Sequence, residues 1–153
     1  MAKQKWPGKF IIGLTGNIAT GKSVVRKMLE HVGAFGIDAD ALSNRAIQQG
    51  APGYQAVVDA FGSFILYASG DINRAKLGRL VFSDEEALTQ LEAIIHPLVR
   101  QAVEVLIQRS RAQVVVVEAI KLLESPLRQF CDAIWVTTAD EAKQLERLRK
   151  HRS

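Results

Sequence analysis

Phe10-Ile11-Ile12-Gly13-Leu14-Thr15-Gly16-Asn17-Ile18-Ala19-Thr20-Gly21-Lys22-Ser23 is the stretch that decides the fold. Phe10 to Leu14 is a short apolar run, the pattern of a strand buried on both faces of a parallel sheet. Gly16 to Ser23 then satisfies GxxxxGK(S/T) in full, a pattern that arises by chance in roughly one chain in 200 of this length. Such a loop curls around a β-phosphate with its backbone N–H groups pointing inward, and side chains at Gly16 or Gly21 would obstruct the wrap. Lys22 supplies a cation for the β- and γ-phosphates of ATP, and Ser23 offers a hydroxyl to Mg²⁺. The helix that starts there adds the positive end of its dipole. Gly16, Asn17, Ile18, Ala19, Thr20, Gly21, Lys22 and Ser23 are therefore the candidate nucleotide site.

Outward from the loop, Val24, Val25, Met28, Leu29 and Val32 recur at helical spacing, with Arg26, Lys27, Glu30 and His31 on the other side. Gly33 to Ile37 reads as a second strand that empties into Asp38-Ala39-Asp40, followed by a helix to about Gln49. Gly50-Ala51-Pro52-Gly53 breaks that helix, and a further helical segment covers Tyr54 to Phe61. Ser83 and Glu86 have the spacing of a capping box, which starts a helix running towards Ile95. Pro97 fits the first turn of another helix ending near Ser110. Gln113 to Val117 and Ala133 to Val136 read as strands, and Ala139 to Lys150 as a charged helix. Strands alternating with helices predict an α/β fold, a P-loop NTPase-type parallel sheet flanked by helices. The expected organisation is one domain over 1–153, with core segments 10–38 and 111–153 and an inserted helical subdomain over about 39–110. That subdomain is substrate-binding if the chain is a nucleotide kinase, where such an insertion commonly holds the second substrate, and otherwise ordinary sheet cover.

The chain has 153 residues, 48% of them hydrophobic, enough for one core without disulfides. A net charge of +4 and a pI near 9.4 favour an anionic partner. No basic stripe interleaved with aromatics points to nucleic acid, so a small-molecule anion is the expected partner. Cys131 is the sole cysteine, which excludes an intramolecular disulfide and suits a reducing compartment. Neither a secretory leader nor a run apolar enough to span a bilayer is present, so a cytoplasmic protein with no membrane partner is expected. The sequence leaves the oligomeric state open.

Active-site groups in such sheets gather beyond the carboxyl ends of the strands, which makes Asp38 and Asp40 candidates for a place beside the γ-phosphate. The other reading is that Asp38 caps the next helix and Asp40 complements its dipole. Glu118 closes the valine strand where a Walker-B acid would stand, reaching the metal through a water, or else forms a structural ion pair. Arg147, Arg149, Lys150 and Arg152 suit the C-terminal end of a helix for local reasons, and also the place where kinases of this type carry lid arginines. His96, before Pro97, reads by itself as a helix-entry residue. No Cys/His cluster suggests zinc.

IIGLTGNIATGKS, a glycine-containing strand into IDAD, GAPGYQAVVDAFG, GDINRAKLGRLVF, LEAIIHPLVR and VVVVEAIKLLE together resemble the dephospho-coenzyme A kinase family, in order and spacing, over nearly all of Phe10 to Arg147. The resemblance implies transfer of the ATP γ-phosphoryl group to the ribose 3′-hydroxyl of dephospho-coenzyme A, the last step of coenzyme A biosynthesis. It makes Asp40 the base near that hydroxyl and puts Asn73, Arg74, His96 and Arg100 in acceptor-side segments. Ser23 and Glu118 are the candidates for the metal, and Arg147 is the candidate for the nucleotide, although the resemblance leaves the lid arginine open among Arg147, Arg149 and Arg152. Three departures accompany the resemblance. Asn17 and Ala19 stand where the family usually has glycine, Ile120-Lys121-Leu122-Leu123-Glu124 replaces Pro-Leu-Leu-x-Glu, and the family continues past QLERL where this sequence stops at Ser153. A truncated or short form is therefore expected. Another P-loop small-molecule or nucleotide kinase, or a non-catalytic ATP-binding form, are the alternative readings.

Overall fold

A computed structural model describes residues 6–17 and 20–150. Ile18, Ala19 and Arg152, named above, lie outside the described residues. Four strands, β1 (Phe10–Gly16), β2 (Phe35–Asp38), β3 (Val114–Glu118) and β4 (Ala133–Thr137), form one parallel sheet in the order β2-β3-β1-β4. The aliphatic runs account for the two central strands. Ile11, Leu14, Val115 and Val116 are completely buried, as befits strands covered on both faces. β4 lies at the edge and is wetter, with Trp135 and Val136 exposed.

The chain divides into two compact units. The first comprises Met1–Asp40 with Val105–Ser153 and carries the sheet; the second, Ala41–Glu104, is helical. In the first unit α1 (Lys22–His31) lays Val25 and Leu29 against Ile12, Leu14 and Val116. The predicted apolar stripe is only partly used, since Val24, Met28 and Val32 are exposed. At about 100° per residue the five apolar positions span an arc of about 140°, and the sheet covers only the side holding Val25 and Leu29. The other helix of this unit, α6 (Glu141–Lys150), follows β4.

The second unit holds α2 (Ala39–Ala46, begun in the first), α3 (Tyr54–Phe61), α4 (Arg74–Phe82) and most of α5 (Glu85–Arg109). Its core gathers Ile47, Val57, Ile65, Leu77, Val81 and Ala87. α2 stops at Ala46, short of the predicted Gln49. α4, which the periodicity did not single out, is started by Asn73, whose side-chain oxygen accepts from the Lys76 N–H at 3.2 Å.

Two expectations about α5 are corrected. The cap is Asp84, accepting from the Glu86 and Ala87 N–H groups at 2.9 and 3.4 Å, while the Ser83 hydroxyl turns back to the Leu80 carbonyl. A carboxylate facing the helix's free N–H groups outcompetes the neighbouring hydroxyl. Pro97 does not begin a second helix either; it lies inside one continuous helix. Apolar packing on both sides of it, through Ile94, Ile95, Val99 and Val103, outweighs the lost hydrogen bond. Pro97 is itself exposed, so Pro97→Ala is expected to raise the unfolding free energy by up to about 3 kcal/mol, readable by urea denaturation. Equal or lower stability would mean that the helix is built around the proline. No helix among the described residues is long and apolar enough to cross a membrane.

Candidate active site

Strand register assembles the site. Parallel pairing sets Leu14 beside Glu118 and Glu118 beside Asp38, so the carboxyl ends of β1, β3 and β2 open on one edge. Gly16 leaves β1 on this edge, and α1 begins at Lys22. Gly21, at φ 89°, caps α1 in the left-handed region that glycine adopts without strain, and among the described residues no side-chain cap bonds the start of that helix. Those N–H groups are open to an anion. At Gly16 the constraint is space: a Cβ would come 2.3 Å from the Thr137 hydroxyl and 2.6 Å from the Thr137 carbonyl oxygen.

Threonines brace the loop. Thr20 donates to the Asn17 carbonyl at 2.7 Å and lies 2.7 Å from the Thr137 hydroxyl, while Thr15 donates to the Ile120 carbonyl at 2.9 Å. Lys22 is almost fully buried and its ammonium donates to the carbonyls of Gly16 (2.8 Å) and Asn17 (3.0 Å), closing the loop on itself. A cavity of about 500 Å³ opens beside the loop, with Gly16, Asn17, Thr20, Lys121, Thr137 and Gln144 on its walls.

Asp40 lies in the first turn of α2, half-buried, and its carboxylate accepts from the Ile120 N–H at 3.2 Å. Burial pushes its pKa above the usual aspartate value. The negative charges of Asp38 and Glu118 push the same way, against the Ile120 N–H and Lys22, which favour the carboxylate. A carboxyl raised in this way is a better proton acceptor near neutral pH than an ordinary aspartate.

Glu118 is buried at the end of β3 and bound on both oxygens, by the Ser23 hydroxyl at 2.8 Å and by Arg26 Nε at 2.5 Å. Arg26 also donates to Glu30 at 2.7 Å. Burial opposes the charge on Arg26, but its bonds to Glu118 and Glu30 win and hold its pKa above the ordinary guanidinium value. Ser23 and Glu118 offer hard oxygen donors, the set that suits Mg²⁺. Among the described residues no group of three His, Cys, Asp or Glu could enclose an ion. Two protein oxygens fit a metal that completes its shell with phosphate oxygens and water.

The lid candidates separate. Arg147 and Arg149 are both exposed on α6, but a Cβ on Gly21 would lie 3.9 Å from the Arg147 guanidinium, so Arg147 reaches the phosphate loop. The acceptor-side candidates all belong to the second unit. Asn73 is spent on its helix cap through Oδ1, Arg74 is exposed on the first turn of α4, and His96 and Arg100 stand one turn apart on α5. The sequence reading missed Arg26 and Thr137. Arg26 carried a weak signal, three residues after Ser23 and four before Glu30; Thr137 carried none.

The dephospho-CoA kinase (CoaE) family model matches residues 10–153. The dephospho-CoA kinase of Bacillus licheniformis is 42% identical over 145 residues, covering 92% of this chain and 71% of that protein. That of Geobacter sulfurreducens is 41% identical over 141 residues, covering 90% and 72%. The crystal structure of TT1252 from Thermus thermophilus superposes with a TM-score of 0.79 at 32% identity, over 93% of this chain and 72% of the other. A dephospho-CoA kinase structure from Campylobacter jejuni, at 19% identity and a TM-score of 0.54 over 92% and 96%, shares the fold.

Proposed function

The chain belongs to the dephospho-CoA kinase family, and we propose that it moves the γ-phosphoryl group of ATP onto the ribose 3′-hydroxyl of dephospho-coenzyme A, giving coenzyme A and ADP. The observation that carries this reading is the shared edge of β1, β3 and β2, where a phosphate loop, Glu118 and the junction of β2 with α2 at Asp38 and Asp40 converge. In this reading the loop amides and the open N-terminus of α1 hold the β-phosphate. Lys22 exchanges two neutral carbonyls for phosphate oxygens, and Arg147 neutralises charge on the γ-phosphoryl group. As the acceptor oxygen bonds to phosphorus, the bond to the bridging oxygen breaks and ADP leaves with its electron pair. Asp40 takes the hydroxyl proton. Because the transition state is loose, Asp40 contributes more by aiming the alcohol than by pulling its proton.

Ser23 and Glu118 would hold Mg²⁺, which when bound supplies charge compensation to the phosphate oxygens. To Asn73, through its amide N–H groups, and to Arg74, His96 and Arg100 we assign contacts with the acceptor, and to the helical unit as a whole the seat of that substrate. Cys131 forms no disulfide and its thiol donates to the Leu127 carbonyl at 3.5 Å, which suits the reducing cytoplasm, where we assign the reaction.

The test is a chromatographic assay of product from ATP with dephospho-coenzyme A, nucleoside monophosphates and simple alcohols as competing acceptors. Dephospho-coenzyme A is expected to lead in kcat/KM by at least about 10²-fold. A nucleoside monophosphate used equally well would overturn the assignment.

A further inference from the structure

Arg26 is not part of the phosphate-loop pattern, yet it is held beside the loop by two carboxylates. Its side chain is 16% exposed, and its guanidinium bridges Glu118 and Glu30. The bridge is built for. β2 is bare at Gly36, where a Cβ would come 1.9 Å from the Glu30 carboxylate oxygen, so a side chain there would push Glu30 off Arg26. Glu118 therefore presents one oxygen to Ser23 and has the other covered by Arg26.

That division matters for a cation. A buried carboxylate beside a serine hydroxyl, with Asp38 and Asp40 on the same edge, is a concentration of hard oxygen and negative charge that would attract a divalent ion from solution. The arginine covers one carboxylate oxygen and cancels one charge, and its rigid geometry fixes the direction in which the oxygen shared with Ser23 points. We infer that Arg26 is a positioning residue that holds Glu118 to single-oxygen presentation and withholds the Ser23–Glu118 pair from free divalent cations, so that the metal enters with the nucleotide. The inference rests on the functional reading above in treating Ser23 and Glu118 as the metal's protein ligands.

The experiment titrates Mn²⁺, a hard octahedral probe, into nucleotide-free protein and follows the loss of its free EPR signal. The wild type is expected to bind no more tightly than about 1 mM. Arg26→Gln removes the charge and the fork and should tighten Mn²⁺ binding about tenfold or more. Arg26→Lys keeps the charge but loses the fork, and should fall between the wild type and Arg26→Gln. A purely structural arginine would instead lower the melting temperature in both variants and leave Mn²⁺ affinity unchanged, and that result would overturn the inference. Should Arg26→Gln not fold, the wild type still decides: tight Mn²⁺ binding without nucleotide contradicts the withholding role. Titration of Mn²⁺ with ATP on the wild type separates the two readings. Failure to bind that complex counts against the kinase assignment. Normal binding of it, with free Mn²⁺ affinity unmoved in Arg26→Gln, counts against Arg26 alone.

Discussion

Lys22→Ala is expected to lower kcat/KM for phosphoryl transfer by about 10³-fold with little change in melting temperature. The ammonium is nearly buried, and its bonds go to two neutral carbonyls, Gly16 at 2.8 Å and Asn17 at 3.0 Å. Triphosphate oxygens are far stronger acceptors for a cation than carbonyls, so the exchange on binding is downhill. Charge then spreads over the γ-phosphoryl oxygens in the transition state, where a positioned cation in a site shielded from water is worth several kcal/mol, of order 4. Stability should change little because both bonds lost go to neutral carbonyls and the Asn17 carbonyl keeps its bond from the Thr20 hydroxyl. Arginine at this position should fail to rescue, since a planar fork needs more width than a point-like ammonium in a loop closed at Gly16. Steady-state kinetics beside thermal unfolding checks both halves, and an alanine variant retaining parental turnover would remove Lys22 from the chemistry.

Asp40→Asn should cost about 10²-fold in kcat, the low end for a general base, because in a loose transition state the carboxylate chiefly orients the alcohol. The pH dependence carries the sharper test. Burial and the Asp38 and Glu118 charges raise the Asp40 pKa, so wild-type kcat/KM should climb as pH rises through that raised value and then level off. The asparagine variant should be flat across the same acidic window.

Stability runs the other way. Between the ordinary aspartate pKa and the raised one, the folded protein holds more protons at this site than the unfolded chain does. Stability therefore falls as pH rises through the window, and the loss is complete above the raised value. Asp40→Asn removes that loss, and its side-chain oxygen can still accept from the Ile120 N–H. The variant should thus match or exceed the wild type in urea denaturation at pH 7 and lose any advantage at low pH. A variant less stable than the wild type at neutral pH, with an unchanged activity profile, would argue for Asp40 as a helix-start residue only.

How far each feature was legible depended on how local its cause was. FIIGL and VVVV announce buried parallel strands because burial on both faces needs apolar residues at every position. The phosphate-loop pattern is equally local, since a backbone that must turn around an anion restricts residue types within a few positions. The helix across Pro97 was misread because the residues that hold it together come from packing rather than from the proline's own preference. The choice of Asp84 over Ser83 as cap turned on which neighbour's side chain faced the free N–H groups, a matter of a single residue's orientation.

From its residues alone this chain determined an α/β sheet, the loop that opens it, and the strand ends where acids collect. Tertiary structure alone decided which partners those acids take. Glu118 meets Arg26 across 92 residues of chain and Asp40 meets the Ile120 amide across 80. Thr137 closes on Thr20 across 117. Contacts of that span depend on strand order and register, which are settled when the whole sheet buries its two faces, and no short window of sequence contains that information.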